Sequence, residues 1–182
     1  KGYIYKGKKP VYWCYTDETA LAEAEIEYQD DPCTTIFVKF PIKDDLGKLG
    51  QYCDLSKLFF VIWTTTPWTL PGNRAICLNA AYDYVLMQVP SGEVYIVAEG
   101  LSEAVCKAAG IESHTVLATL KGSAFERMTA QHPLLENVES VVLNGDHVTL
   151  DAGSGCVHTA PGFGADDYFI CQSYDRAGKT HI

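Results

Sequence analysis

The densest run of side chains that could do chemistry is the segment WTTTPWTLPGN, residues 63–73. Three consecutive threonines follow an apolar run there, and successive strand residues point to opposite faces, so their hydroxyls should reach both faces. Pro67 disfavours helical backbone at Thr66, which predicts that Thr64 or Thr66 lines whatever the strand end faces. The alternative is an ordinary polar strand end whose hydroxyls cap the following turn.

Two further polar segments follow later in the chain. In GDHVTLDAGSGCVHTAPG, residues 145–162, His158 ends a short apolar run and could be a general base, a ligand or a core histidine bonded to backbone. In GFGADDY, residues 162–168, Asp166 and Asp167 open a helix, which simple helix capping would also explain. Adjacent helical residues point in different directions, so at most one of these carboxylates should enter a pocket with His158.

Several common functional classes lack their usual sequence support. The chain has no G-x-S-x-G, H-E-x-x-H, P-loop or Rossmann motif, which disfavours nucleophilic hydrolases, metalloproteases and nucleotide-binding proteins. Its seven cysteines include no C-x-x-C pair, which disfavours disulfide frameworks and zinc sites and favours a reducing cytosol. The net charge of −9 alone argues against nucleic acid, because phosphate binding needs clustered Lys and Arg.

The elements that must position these residues are mostly short strands. The longest apolar run, Leu58–Trp63, is too short to span a bilayer, and the Lys-rich start has no signal-peptide core behind it. The length of 182 residues predicts one domain with its own core. Runs rich in β-branched and aromatic residues predict strands at 11–15, 35–40, 58–64, 84–89, 93–98, 115–120, 140–143 and 156–159.

Three other segments complete the expected architecture. Alternation of Ala22, Ala24, Ile26 and Tyr28 with glutamates predicts another strand, although a helix opened at residue 16 or 17 fits equally. Helices are expected at 101–109, closed by Gly110, and at about 165–174. Many short strands at irregular spacing predict a mainly β barrel or sandwich.

Together these segments resemble the connective-peptide editing domain of the class I aminoacyl-tRNA synthetases for isoleucine, valine and leucine. The resemblance covers nearly the whole chain and rests on GKKPVYWC, TALAEAEIEY, FFVIWTTTPWTLPGNRAI and GDHVTLDAGSGCVHTAPGFGADDY. The valine and leucine enzymes typically carry Arg after paired threonines, whereas Thr66-Pro67-Trp68 is similar to the isoleucine branch. The resemblance implies a mainly β, barrel-like domain with a few peripheral helices over 1–182, with N-terminal strands in 1–30, an editing core in 31–175 and a polar end in 176–182.

The implied function is post-transfer editing, the hydrolysis of the ester bond of mischarged valyl-tRNA(Ile). One methylene is worth only about 1–3 kcal/mol in an apolar pocket, a limit for which this family is itself the standard example, so a second sieve must exclude isoleucine by size. The family's two ATP-site signatures, HIGH and KMSKS, are absent. The chain is therefore expected to be an aminoacyl-tRNA deacylase without ATP-dependent aminoacylation and without a cofactor, ATP and Mg being used elsewhere in the parent enzyme.

The resemblance also implies roles for particular residues. Thr64, Thr65 and Thr66 would offer hydroxyl and backbone groups to the ester carbonyl, the attacking water or the terminal ribose. Asp167 would bind the α-ammonium of the misattached amino acid, and His158 would form a wall of the side-chain pocket. The other expected substrate-binding residues are Trp63, Thr69 and Asn73.

Metal, partners and location follow in the same way. Many relatives carry a C-x-x-C pair at the base of the domain, but Asp17 stands where the second cysteine would follow Cys14, so no metal is expected. The expected partners are the CCA end of tRNA(Ile) carrying valine, aminoacyl-adenosine analogues and the remaining domains of the parent synthetase, in a cytoplasmic monomer without membrane contact. The alternatives are a non-catalytic module that binds a tRNA end or an amino acid, and a valine- or leucine-type domain directed at threonine or norvaline.

Overall fold

Residues 2–4 and 6–176 are described by a computed structural model of the chain. Of the polar end expected at 176–182, residues 177–182 lie outside the described part. The described residues form eleven strands and two α-helices. The strands are β1 Tyr12–Cys14, β2 Thr19–Leu21, β3 Ile36–Asp44, β4 Leu58–Thr64, β5 Ala75–Leu78, β6 Asp83–Gln88, β7 Val94–Ala98, β8 Thr115–Lys121, β9 Thr129–Gln131, β10 Glu139–Asn144 and β11 Val157–Thr159; the helices are α1 Ser102–Ala109 and α2 Ala165–Arg176.

Nine of these strands form one sheet in the order β11-β5-β10-β9-β3-β4-β7-β6-β8. β11 also pairs in parallel with β4, through Val157 and Trp63, so the six strands from β11 to β4 close into a barrel. β7, β6 and β8 continue the sheet beyond β4, and β1 and β2 form a separate antiparallel ribbon. The prediction of a mainly β, barrel-like fold with few helices is confirmed.

The apolar run of β4 is continuous because both of its faces are covered. Phe60 and Ile62 belong to the main core, in which Phe60 meets Phe125 edge to face with ring centroids 5.9 Å apart. Val61 points the other way and packs with α1 through Val105. Strands buried on both faces lose the polar alternation of half-exposed strands, and β4 is thereby held rigidly up to its carboxyl end.

Helix α2 is anchored on a third apolar cluster. Cys171 and Tyr174 of α2 pack with Cys77 of β5 and Leu143 of β10, and the Tyr174 hydroxyl accepts a hydrogen bond from Asn144 N at 2.9 Å. The anchoring lies in the later turns of the helix. Its first turn, which carries Asp166 and Asp167, lies outside this cluster, at the edge of the barrel.

Most of the expected elements are present. The strands predicted at 35–40, 58–64, 84–89, 93–98, 115–120, 140–143 and 156–159 correspond to β3, β4, β6, β7, β8, β10 and β11, and 11–15 contains β1. Both helices lie within a residue or two of their expected bounds, and Gly110 ends α1 with φ of 65°, a left-handed conformation that glycine favours. In the described part of the chain, no helix is both long enough and apolar enough to cross a membrane.

The strand predicted from Ala22, Ala24, Ile26 and Tyr28 is wrong. A short 3-10 helix, Glu23–Glu25, occupies this place, and the Glu25 carboxylate accepts a hydrogen bond from Ala22 N at 2.7 Å. This local bond favours a turn over the extended backbone that the alternation suggested. The short strands β2, β5 and β9 were not predicted, because three or four residues show too little periodicity.

Candidate functional site

A cavity of about 560 Å³ lies where β4 and β11 end and α2 begins. The two strands run parallel as neighbours, so their carboxyl ends meet at the same edge of the barrel. Every residue expected at the site except Asn73 lines this cavity: Trp63, Thr64, Thr65, Thr66, Thr69, His158 and Asp167. Residues from separate parts of the chain thus converge on one space.

The threonines turn the chain out of β4 and into a 3-10 helix, Pro67–Gly72. Thr64 is buried, and its hydroxyl oxygen accepts a hydrogen bond from Thr66 N at 3.0 Å and lies 3.3 Å from Thr66 Oγ1. Thr66 has φ of −126° and ψ of 64°, outside the helical region as Pro67 predicted. The turn holds these hydroxyls at the cavity instead of only capping a strand end.

His158 lies within β11 and is only 8% exposed. Its Nε2 is 2.9 Å from Thr69 Oγ1, and its Nδ1 is 2.7 Å from Asn73 Nδ2. Burial, with a smaller contribution from nearby His132, lowers the pKa of His158 to about 4. The imidazole is therefore neutral over the physiological range, and side chains hold both of its nitrogens. Asn73, 1% exposed, lies behind the histidine.

Asp167 is partly buried, whereas Asp166 is exposed, as their adjacency on the helix predicted. Asp167 Oδ2 accepts a hydrogen bond from Ala160 N at 2.8 Å, which ties α2 to the residue directly after β11. Burial raises the pKa of Asp167, and this is opposed by the Ala160 N–H and by nearby His147. The carboxylate keeps one orientation at the cavity and is less hydrated than a surface aspartate.

Part of the cavity wall was not predicted from the sequence. It is the loop that leads into β11, with His147, Thr149, Asp151 and the glycine-containing stretch 152–156. Gly155 has φ of 75°, and a Cβ there would lie 2.3 Å from Ala98 Cβ, so only glycine fits. The available signal was the G-S-G run before the apolar strand, together with a second histidine, His147, in the same polar segment.

His147 has a property that none of the expected residues shares. Its Nε2 is buried and has no hydrogen-bond partner among residues 2–4 and 6–176. An unpaired buried polar atom is costly unless something else satisfies it. Because His147 lines the cavity and lies near Asp167, a water or a ligand in the cavity is the natural partner.

The arrangement suits the hydrolysis of a small cationic ester. It offers the carboxylates of Asp167 and Asp151 for a cation, hydroxyls for a carbonyl or sugar, and the neutral imidazole of His158 as a wall. Cys156 also lines the cavity, but burial raises its pKa far above the ordinary value, so its nucleophilic thiolate is scarce. Among the described residues, no three His, Cys, Asp or Glu side chains are grouped to hold a metal ion.

Comparison with known proteins identifies similar chains. The family model for class I tRNA synthetases (I, L, M and V) matches residues 1–151. The isoleucine–tRNA ligase of Caldanaerobacter subterraneus is 55% identical over 96% of this chain and 19% of its own length, and that of Lactobacillus acidophilus is 53% identical over 96% of this chain and 18% of its own length. The chain thus spans about a fifth of the length of these relatives.

Two solved structures share the fold. GlLeuRS-CP1 superposes with a TM-score of 0.67 at 20% identity, covering 81% of this chain and 65% of that one. The P. knowlesi cytosolic leucyl-tRNA synthetase editing domain superposes with a TM-score of 0.66 at 17% identity, covering 80% of this chain and 63% of that one.

Proposed function

The chain belongs to the class I tRNA synthetases for isoleucine, leucine, methionine and valine, and we propose that it hydrolyses the ester bond of valyl-tRNA(Ile) as the editing domain of an isoleucine–tRNA ligase. The observation that carries the proposal is the convergence of Asp167, the threonine hydroxyls and the neutral His158 on one cavity. The similarity to isoleucine–tRNA ligases over 96% of the chain supports the choice of amino acid. The reaction needs water and no cofactor in this domain.

Asp167 binds the α-ammonium group of the misattached valine. A carboxylate held by Ala160 N at 2.8 Å in a partly buried position makes a strong charge-assisted contact. This contact fixes the ester relative to the attacking water, and positioning alone supplies much of the rate of such a reaction. The raised pKa of Asp167 predicts that binding weakens on acidification, because only the ionised carboxylate attracts the ammonium.

Thr64, Thr65 and Thr66 stabilise the reacting ester. Their hydroxyls and backbone groups surround the carboxyl end of β4 and are available to the carbonyl oxygen, the water or the terminal ribose. Preorganised donors aimed at developing negative charge are an effective source of catalysis in a cavity that excludes bulk water. An aminoacyl ester is already activated, so no covalent nucleophile is required.

His158 supplies the size limit. It is part of a paired strand and bonded through both ring nitrogens, so it cannot move aside easily for the extra methylene of isoleucine. Forcing one methylene into a rigid, packed site costs about 1–3 kcal/mol. Valine fits and is hydrolysed, whereas isoleucine is held away from the threonines.

The acidic charge of −9 is compatible with a tRNA substrate if other domains supply most of the tRNA affinity and this one reads only the CCA end. The isolated domain would then bind tRNA weakly, as a monomer in the cytoplasm. Binding would depend little on salt, since few phosphates would be neutralised here.

The test is the release of amino acid from tRNA(Ile) charged with valine, isoleucine, threonine or norvaline, using the full-length protein that carries this chain. Hydrolysis of the valyl ester at least tenfold faster than the isoleucyl ester is expected. Binding without release would instead indicate a non-catalytic module. Preferential release of threonine or norvaline would indicate a valine- or leucine-type domain.

A further inference from the structure

Behind His158 lies a chain of buried side chains, Ser140–Asn73–His158, that no substrate contact explains. We propose that Ser140 and Asn73 are positioning residues that hold His158 as the neutral tautomer protonated at Nε2, and so keep the cavity wall rigid and uncharged. The effect on selectivity rests on the proposed function. The tautomer itself follows from hydrogen bonds alone and can be measured without activity.

The Asn73 amide has only one orientation. Its Nδ2 donates to the Ala75 carbonyl at 2.9 Å and faces His158 Nδ1 at 2.7 Å, while its Oδ1 accepts from Ser140 Oγ at 2.5 Å. A backbone carbonyl only accepts hydrogen bonds, so reversing the amide would set oxygen against oxygen at Ala75. Both amide protons are therefore assigned, one to Ala75 and one to His158.

The protonation of the imidazole follows from its two neighbours. Nδ1 faces an N–H donor and must present its lone pair. On the other side, Thr69 Oγ1 donates its single proton to the Thr66 carbonyl at 2.8 Å, so at His158 it can only accept, from Nε2–H at 2.9 Å. A doubly protonated ring would set its Nδ1–H against the Asn73 N–H.

This protonation state leaves His158 as a wall of the cavity and excludes it as a general base. A general base needs a lone pair that can reach the proton it removes, and the only lone pair of His158 is already bonded to Asn73. Burial independently holds the pKa of His158 at about 4, and the ionisable neighbour that contributes to this shift is His132, itself buried. The ring cannot rotate without breaking two bonds.

Ser140 is the element of this chain furthest from the substrate. It lies in β10, is 0% exposed and does not line the cavity. Its hydroxyl donates a hydrogen bond to Asn73 Oδ1. Without Ser140, this buried amide oxygen would lose its donor, which is costly. Losing that bond weakens the preference for one amide orientation, and His158 then samples the other neutral tautomer.

The experiment begins with the wild-type full-length protein, in which nitrogen chemical shifts of the His158 ring report its tautomer directly. A protonated Nε2 and an unprotonated Nδ1 are expected from pH 5 to 8. Ser140→Ala should broaden or shift both signals and change the ratio of isoleucyl to valyl deacylation by about three- to tenfold, the worth of one buried hydrogen bond. Ser140→Thr keeps the hydroxyl and should restore both readouts.

Two further variants separate positioning from general destabilisation. Ser102→Ala is the matched control, because Ser102 is also buried and donates one bond to a backbone carbonyl, Glu99 O at 2.8 Å. It should leave the His158 signals and the ratio unchanged. Asn73→Asp replaces the donor at Nδ1 with an acceptor and should move the proton to Nδ1 or charge the ring.

The proposal is overturned by a wild-type ring protonated at Nδ1, or by an unchanged His158 spectrum in Ser140→Ala. An equal shift of the ratio in Ser102→Ala would also overturn it. If the wild-type protein hydrolyses neither ester, the proposed function fails, while the nitrogen spectra still decide the positioning role.

Discussion

Two buried histidines contact the segment Pro67–Gly72, and they do so in different ways. His158 meets the Thr69 side chain and lines the cavity. His132 meets the backbone: its Nε2 donates to the Leu70 carbonyl at 2.9 Å, and its Nδ1 accepts from the backbone N–H groups of Leu134 and Leu135, each at 3.1 Å. Both are neutral, and burial lowers the pKa of both.

Burial and a lowered pKa are common to both histidines, so neither property by itself distinguishes the histidine of the proposed site. His132 is 2% exposed and His158 8%, so their desolvation is similar in kind. What differs is the partner. Backbone groups hold His132, whereas side chains, which substitution can change, hold His158 at the cavity that Asp167 and the threonines line. Five changes would break or sharpen this distinction.

The largest effect is expected from Asp167→Ala, on the cavity side. Loss of the charge-assisted contact with the ammonium should cost about 1.5–3 kcal/mol or more, a decrease of about ten- to a hundredfold or more in valyl-tRNA deacylation. The change also removes the acceptor of the buried Ala160 N–H, which should lower the free energy of unfolding by about 1–3 kcal/mol without unfolding the domain. The matched control is Asp166→Ala, which removes an exposed carboxylate and should be milder; near wild-type hydrolysis by Asp167→Ala would refute the assignment.

His132→Ala should act on stability instead. The change leaves the Leu70 carbonyl and the Leu134 and Leu135 N–H groups without their ring partner, which should lower the free energy of unfolding by about 2–4 kcal/mol. The ratio of isoleucyl to valyl deacylation should stay at the wild-type value. Chemical denaturation and the two rates measure this, and a relaxed ratio with normal stability would abolish the distinction between the two histidines.

His158→Ala should act on selectivity. Removing the wall opens the cavity, so the variant should gain hydrolysis of isoleucyl-tRNA and retain part of its activity on valyl-tRNA while Asp167 holds the ammonium. The gain corresponds to relief of about 1–3 kcal/mol of overpacking. Side-by-side deacylation rates are the measurement; equal loss on both esters would show that His158 is a general base and not a steric gate.

Stability should depend on pH through both histidines, because the pKa of each is lowered, and the contribution of His158 can be isolated by substitution. The folded-state pKa of His158, about 4, is below its ordinary value of about 6.5, so between these values the unfolded state binds a proton that the folded state does not. Stability therefore rises with pH through this window and is lost on acidification. Relative to His158→Gln, the wild type should lose on the order of 2 kcal/mol between pH 6.5 and 4, and parallel curves for the two proteins would contradict this.

The smallest effects are expected from cysteine changes and chelation. Cys14 lies in the N-terminal ribbon with its Sγ 3.3 Å from Asp17 Oδ2, and neither Cys14 nor Cys171 lines the cavity. Burial also raises the pKa of Cys171 to about 12, which makes its thiolate scarce. Cys14→Ser, Cys171→Ser and treatment with a chelator should leave hydrolysis within about twofold of wild type, since no hydrogen bond to the substrate is lost. Stoichiometric zinc, with activity lost on its removal, would show that the chemistry is different.

The strand conformation of β5 could not be predicted from the sequence, for a physical reason. β5, Ala75–Leu78, is fully buried between β10 and β11, yet four apolar residues suit a helix or a strand equally. Its conformation is decided by hydrogen bonding to two distant strands. After Ala22, by contrast, the alternation of apolar residues with glutamates predicted a strand that does not form. The hydrogen bond from Ala22 N to the Glu25 carboxylate favours a short 3-10 helix there.

The sequence by itself determined what local sterics and periodicity control. The apolar run of β4 predicted a strand with bounds that match the structure. Pro67 predicted a non-helical Thr66, and adjacency on a helix predicted that only one of Asp166 and Asp167 turns inward. Each of these depends on residues a few positions apart, which the backbone brings together in any fold.

Only the tertiary structure decided which of these residues act on one another. The parallel pairing of β11 with β4 closes the barrel and carries His158 to Thr69, and the position of β10 beside β5 brings Ser140 to Asn73. Both pairings join residues far apart in sequence, and each costs the entropy of closing a long loop before its hydrogen bonds can form. The state of His158, a neutral wall with its proton on Nε2, therefore has no counterpart in any local pattern of the chain.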